Sequence, residues 1–273
     1  MSSNYDVFVD DSIENYINLY NEGKNINRDI EPLHNENYRV LSLANTDIRV
    51  LDRDEVYEKL VRLDKIKFFL NDHVVRNTVT GKDTFVAGNR YFYMIPVQTV
   101  KGTIVDFIFR RTFDSQLNGF DFKKNRYHSV KPIKEDTIKR VPFMYGFYKD
   151  FENFDYDSRN GSKPIVVCEG SKDCIYLKQF YPYVLSINTS TIGFNAYILR
   201  NLTNKIVFVS DSDETGTKEF YKDRYILKNL GFRVLKVKLD KGIKDPASYI
   251  NYPELEETFK KRFLKTIDKS EII

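Results

Sequence analysis

Ile165-Val166-Val167-Cys168-Glu169-Gly170 and, further on, Lys205-Ile206-Val207-Phe208-Val209-Ser210-Asp211-Ser212-Asp213 decide how this chain is read. Each is a short run rich in β-branched residues that ends abruptly in acid. Such runs predict buried strands. With no polar alternation inside them, they predict parallel strands covered on both faces. Helices are expected after each: Asp173 to Phe180, ended by Tyr181-Pro182, and Glu214 to Leu230, stopped by Gly231. Arg233 to Leu239 reads as another strand. Asp245-Pro246 begins a turn or a helix, and Glu254 to Ile267 is a charged amphipathic helix. Strands and helices alternate, which is an α/β order.

In such sheets ligands sit at the carboxyl ends of the strands, and Glu169, Asp211 and Asp213 fall there. In extended chain Asp211 and Asp213 share a side. Crowded carboxylates repel one another unless a cation lies between them. Oxygen donors without His or Cys suit Mg²⁺ or Mn²⁺. The competing reading is a solvated acidic loop or a set of helix N-caps; it suits any one of these acids better than the whole set.

These residues carry a resemblance. Glu169-Gly170-x-x-Asp173 followed by Asp211-x-Asp213-x-x-Gly216 resembles the Toprim domain. That domain is shared by DnaG-type primases, type IA and type II topoisomerases, OLD-family nucleases and RecR-type recombination proteins. Ser186-Ile187-Asn188-Thr189 is similar to the Ser-Leu-Gly-Thr turn of primases, with Asn188 in the place of Gly. Lys244-Asp245-Pro246 resembles their Lys-Asp-Pro, with Ala247 where a second Asp often stands. The likeness runs from about 165 to 250 and implies a central, mostly parallel sheet flanked by helices.

Upstream, Tyr91 to Val97 and Thr103 to Arg110 flank a turn at Lys101-Gly102 and read as a β-hairpin, with Pro96 on an edge or at a bulge. The same stretch resembles the catalytic core that precedes the Toprim domain in DnaG-type primases. Pro96, Gly102, Phe107 and Arg110 fall at matching spacing, with Ile108 and Phe109 in place of two glycines. A basic centre follows: Lys123, Lys124, Arg126, Lys131, Lys134, Lys139 and Arg140, interleaved with Phe122, Tyr127 and His128. Bases and aromatics together can grip phosphates and stack on nucleobases; such a loop is otherwise simply solvated. Arg126-Tyr127, Arg140 and Met144-Tyr145-Gly146-Phe147-Tyr148 stand in the order of the primase Lys-Tyr pair, basic residue and Leu-Tyr-Gly-Leu motif.

Composition agrees with a nucleic-acid enzyme. The formal charge is +4, but residues 1–60 hold 13 acids to 6 bases and residues 101–150 hold 11 bases to 6 acids. Basic surface draws phosphate chains in. Cys168 and Cys174 form neither a Cys-x-x-Cys pair nor a disulfide framework, and His34, His73 and His128 are scattered, so no zinc site is expected. No apolar run has the length of a membrane span, and the start of the chain lacks signal-peptide features; a cytoplasmic protein is expected. Asn, Lys and Tyr enrichment suits a phage or AT-rich mobile element, which would place the protein in a bacterial host's cytoplasm. Asp11 to Tyr20 predicts a helix with Ile13, Tyr16, Ile17 and Tyr20 on one face, and a second helix is expected to start at Asp54-Glu55. Thr80-Gly81-Lys82-Asp83 predicts a hairpin turn between strands from Val74 to Val86. It is no phosphate loop, because Arg76 stands where the first Gly belongs.

The expected organisation is an α+β N-terminal, primase-like region of residues 1–160 and an α/β Toprim domain of residues 161–273. The resemblance implies a DNA primase that makes short RNA primers on single-stranded DNA from ribonucleoside triphosphates, with two Mg²⁺ or Mn²⁺ ions. It makes Glu169 a ligand or base near the reacting hydroxyl, and Asp211, Asp213 and Asp245 metal ligands. Asp173 could orient Lys172 or a ligand, and Lys244 belongs to the Lys-Asp-Pro motif. Arg110, Arg126 and Arg140, with Lys124 nearby, would hold the incoming triphosphate or the template. A zinc ribbon and a helicase-binding tail are not found in these residues, so either partner proteins, a separate helicase or a zinc-ribbon protein, supply those parts or the activity differs. An OLD-type nuclease and a non-catalytic RecR-type binding module are the alternatives.

Overall fold

The computed structural model describes residues 11–25, 46–52, 55, 73–76, 83–86, 91–99, 102–111, 127–129, 144–147, 149–154, 163–188, 192–193 and 195–272. The chain divides into two compact units, one of residues 1–35, 43–97 and 104–133, the other of residues 36–42, 98–103 and 134–273.

The first unit contains helix α1 (Asp11–Glu22) and strands β1 (Lys24–Asn25), β2 (Arg49–Asp52), β3 (His73–Arg76), β4 (Asp83–Val86), β5 (Tyr91–Gln98), β6 (Ile104–Arg111) and β7 (Tyr127–Ser129). Five of them form a sheet in the order β1-β2-β5-β6-β7, and β3 and β4 pair as a separate antiparallel ribbon. Side chains on a strand alternate in facing; Phe92 and Met94 of β5, with Phe107 and Phe109 of β6, pack against Tyr16, Leu19 and Tyr20 of α1. Tyr16, Ile17 and Tyr20 of the expected face pack here, Ile17 partly buried, and Leu19 joins them; the side chain of Ile13 lies outside the described residues. Pro96 lies inside β5, whose neighbours in the sheet are β2 and β6. The pairing with β2 stops at Met94. Pro96 therefore lies beyond the β2 ladder.

The second unit contains β8 (Ile165–Cys168), α2 (Ser171–Lys178), β9 (Val184–Ser186), α3 (Asn195–Arg200), β10 (Lys205–Val209), α4 (Glu214–Asn229), β11 (Arg233–Lys236) and α5 (Pro253–Ile272). Short 3-10 helices span Asp150–Asn153 and Pro246–Asn251. The sheet order is β11-β10-β8-β9, and every pairing is parallel. All residues of β8 and β10 are buried, the condition that made them read as continuous apolar runs. Ile165, Val167, Ile206 and Phe208 face a core with Ala196 and Leu199 of α3 and Phe220 and Leu227 of α4. On the other side α2 packs on β8 and β9, and α5 on β10 and β11. Tyr249 stacks on Phe259 of α5 with ring centroids 4.2 Å apart, and Phe259 stacks in turn with Tyr176 of α2. Gly231 ends α4 at a φ of 88°, as its position after the helix predicts. Among the described residues no helix is long and apolar enough to cross a membrane.

Candidate active site

The site is built where β8 and β10 end. Cys168 pairs with Val209, so Glu169 and Ser210 step off the sheet side by side. The backbone N–H of Asp211 donates to Oε1 of Glu169 at 3.2 Å. The Glu169 carbonyl is gripped from β9: Ser186 Oγ and the Asn188 N–H both donate to it, each at 2.9 Å. Asn188 has φ +52°. That is the left-handed region, which glycine occupies freely and asparagine tolerates better than most residues. The substitution at this turn thus keeps the backbone conformation the turn needs.

Gly216 is required by close approach. A Cβ there would come to 2.7 Å from the Asp211 carbonyl oxygen and 3.0 Å from Oε1 of Glu169. The spacing Asp211-x-Asp213-x-x-Gly216 therefore lets the first turn of α4 press against both acids. Asp213 is the N-cap of α4, its Oδ1 accepting from the Gly216 N–H at 2.8 Å. Asp245 caps the Pro246–Asn251 helix in the same way, accepting from the Ser248 N–H at 2.8 Å. The loop that carries Lys244 and Asp245 is tied between the two aspartates, because Ser212 N–H donates to the Lys244 carbonyl at 2.8 Å and Ser212 Oγ to that of Ile243 at 2.6 Å. Asp173, buried in the first turn of α2, reaches the same loop and accepts from the Ala247 N–H at 3.0 Å.

The acids feel one another. Asp211 is pushed up to about 7 by burial first, then by the negative charges of Glu169, Asp173 and Asp245, with Lys244 opposing. Asp173 is also pushed up to about 7, by burial and by Asp245, against the help of the Ala247 N–H and Lys172. Burial raises Glu169 as well; the Asp211 N–H, Lys236 and Lys244 pull it down, and Asp213 pushes it up. Lys236 sits 4.4 Å from the centre of the Phe220 ring, and its burial lowers its own proton affinity.

The chemistry of the donors fits a divalent cation: they are all carboxylates, and burial, with repulsion from neighbouring acids, raises the proton affinity of Asp211, Asp173 and Glu169, which a cation would oppose. Among the described residues no three carboxylate, imidazole or thiol groups converge closely enough to hold a metal ion in this arrangement. The caps explain why. Asp213 is exposed and turned toward Gly216, whereas Asp211 is half-buried beside Glu169. Strand alternation does not relate the two, because β10 stops at Val209. The cap reading thus describes Asp213 and Asp245, and does so alongside their place in the cluster.

No family model matches the chain. A DNA primase of Clostridium acetobutylicum is 28% identical over 159 residues, which is 58% of this chain; the match spans about a quarter of that primase, 24% of its length. The crystal structure of the Aquifex aeolicus primase, with its zinc-binding and RNA polymerase domains, superposes with a TM-score of 0.60 at 16% identity, over 95% of this chain and 60% of the other. The DnaG primase catalytic domain bound to single-stranded DNA gives a TM-score of 0.54 at 15% identity, over 94% of this chain and 72% of the other. This is the fold of a DnaG-type primase catalytic core.

Within that primase fold, the structure brings Glu169, Asp173, Asp211, Asp245 and Lys244 into one electrostatic group, with Asp213 at its margin. Arg110 belongs to the first unit, on β6, with its guanidinium 5.8 Å from the centre of the Tyr93 ring. Lys124, Arg126 and Arg140 lie outside the described residues, as do the expected helix after Glu55 and the turn at Gly81.

Asp223 was not legible as a functional candidate. It is buried in the middle of α4 and accepts from the Ile192 N–H at 2.9 Å, holding the end of the chain segment that starts at the Glu169-gripping turn. Its carboxyl is pushed up to about 6, chiefly by burial. It shares with Glu169, Ser210 and Glu219 the wall of a small cavity. No motif spacing marks an acid in the middle of an amphipathic helix.

Proposed function

We propose that this chain is the polymerising core of a DNA primase, carrying out metal-dependent nucleotidyl transfer that makes short RNA primers on a single-stranded DNA template. The observation that supports it most is the carboxylate group at the ends of β8 and β10, set in a primase-core fold within a chain that is 28% identical over 159 residues to a DNA primase. Glu169, Asp211, Asp213 and Asp245 would hold Mg²⁺ or Mn²⁺, two ions in the full complex, with Asp173 fixing the Asp245 loop from behind. Metal ions at such a site neutralise the triphosphate and lower the proton affinity of the attacking hydroxyl. A 3′-hydroxyl forms a bond to the α-phosphorus of the incoming ribonucleoside triphosphate, and the bond to pyrophosphate breaks. Glu169, raised by burial, accepts the hydroxyl proton on its carboxylate. Lys244 supplies positive charge on the same edge. Arg110, Arg126 and Arg140 would align the triphosphate or the template through paired, charge-assisted hydrogen bonds, with Lys124 adding a positive charge nearby. A helicase and a zinc-ribbon protein are the partners proposed to select start sites.

The test supplies the chain with single-stranded DNA, labelled ribonucleotides and Mg²⁺ or Mn²⁺. New RNA that disappears in Asp211→Asn is the expected result. Cut DNA with no RNA would make the protein a nuclease, and binding without either product would make it a non-catalytic module.

A further inference from the structure

Helix α4 has a buried face, which brings Asp223 to the cavity shared with Glu169, and an outer one, which the carboxylate group does not use beyond the first turn. Phe220 and Leu227 are buried in the core. The outer face runs Lys218, Tyr221, Lys222, Tyr225, Lys228, and all five are exposed. They follow spacings of three and four, so they form a single stripe. Tyr221 is 60% and Tyr225 70% exposed, the two most open tyrosines among the described residues. Rings of this size normally keep most of their surface against the protein. Lys218 pairs with Glu214 at 2.7 Å and Lys222 with Glu219 at 3.5 Å. Lys218, Lys222 and Glu214 are well exposed, and surface pairs of this kind contribute little, so a phosphate can replace the acid.

We propose that this stripe is a track for single-stranded nucleic acid, with bases stacked on Tyr221 and Tyr225 and phosphates facing Lys218, Lys222 and Lys228. Every base offers a flat face to an aromatic ring, and lysines beside such rings follow the backbone. A docked protein helix would instead need aliphatic anchors. The exposed positions of α4 hold no Leu, Ile, Val, Met or Phe. Position adds a reason. α4 starts at the Asp213 cap, and Tyr225 lies about 18 Å along the axis from it, so the stripe leads away from the carboxylate edge. The inference deepens the polymerase reading, since the strand carried would be that site's template or product.

The experiment is fluorescence anisotropy of the full chain with a labelled oligodeoxythymidine of about 12 nucleotides, within the usual site sizes. Tyr221→Ala with Tyr225→Ala should weaken binding by about five- to a hundred-fold for each ring lost. Tyr221→Phe with Tyr225→Phe keeps the rings and should bind as the parent does. Lys218→Gln and Lys222→Gln should each flatten the log–log salt dependence by about 0.7. Photocrosslinking of an iodouracil-containing strand reads the location directly, and the crosslinked peptide should lie within 218–228. Parent-like affinity in the double alanine variant, or crosslinks that all map elsewhere, overturns the proposal. No synthesis assay enters this test, so its failure and a failure of the polymerase reading are told apart.

Discussion

In the second unit β8 and β10 run the same way, in register from Ile165–Ile206 to Cys168–Val209. In the first, β2 runs against β5 and β6 against β7. Parallel strands end on one edge, so the residues just beyond them meet. There the Asp211 N–H donates to Glu169, and burial with like charge pushes the Asp211 carboxyl up to about 7. Antiparallel neighbours end on opposite edges, and no such meeting follows. What that sheet offers instead is a faced platform: Phe92, Met94, Phe107 and Phe109 under α1, with Arg110 at the end of the same strand. Parallel register concentrates charge and makes it costly. Antiparallel register spreads it along the sheet.

The contrast is tested hardest by Asp211→Asn. Primer synthesis should fall by more than about a hundred-fold. The apparent Tm in EDTA should hold or rise, because the substitution removes a charge its neighbours repel. A normal rate in the template-directed assay would mean that the parallel edge gathers acids without using them.

Arg110→Ala probes the other sheet. Loss of one charge-assisted contact, about 1.5–3 kcal/mol, should lower kcat/KM for nucleotide about ten- to a hundred-fold. Mn²⁺ binding, followed by calorimetry, should not change. Unaltered kinetics would remove the antiparallel sheet from catalysis.

Gly216→Ala attacks the edge through packing alone. The added Cβ has to displace the Asp211 carbonyl, which costs about 1–3 kcal/mol in stability by denaturant titration. A parent-like midpoint would show the approach to be slack.

Asp223→Asn sharpens the electrostatic half of the comparison through pH. The folded Asp223 holds its proton up to about 6, above the ordinary aspartate range. The native state therefore binds the extra proton between about pH 4 and 6, and stability is lost as pH rises through that window. Asparagine keeps an acceptor for the Ile192 N–H and carries no charge. The variant should match the parent in its response below pH 4 and gain on it up to about pH 6, after which the gap stays constant. Melting curves in EDTA across that range would show a constant gap throughout if Asp223 did not titrate there.

The smallest effect is expected for Asn188→Gly. Glycine suits a φ of +52°, and the change removes the side chain that Ser186 Oγ approaches at 2.8 Å. Stability should move by less than about 1 kcal/mol. A larger loss would show that the asparagine side chain, more than the turn, holds Glu169.

Three strands of the parallel sheet, β8, β10 and β11, were legible in the sequence, whereas β9 (Val184–Ser186) and α3 (Asn195–Arg200) were not read from it; for β8 and β10 the information is local. Unbroken apolar runs with acid at their ends need no knowledge of partners to be read, and helices announce themselves by Gly231, Pro182 and the period of their buried faces. The hairpins and α1 were legible for the same reason. What local pattern could not reach was the direction of each carboxylate. Asp211 and Asp213 look equivalent two residues apart, yet the first is half-buried with its N–H bonded to Glu169 and the second caps α4, because the strand ends before either is reached. Pro96 argued for an edge or a bulge, and only the sheet order showed it on an inner strand, beyond the end of the β2 ladder. Asp173, Asp245 and Asp223 lie far apart in the chain; the loop tied to Ser212, the Ala247 N–H and the packing of α4 bring them to the same end of the sheet. Charge repulsion depends on distance in space. Sequence therefore determined which residues end the strands, and tertiary structure alone decided which of those charges oppose one another.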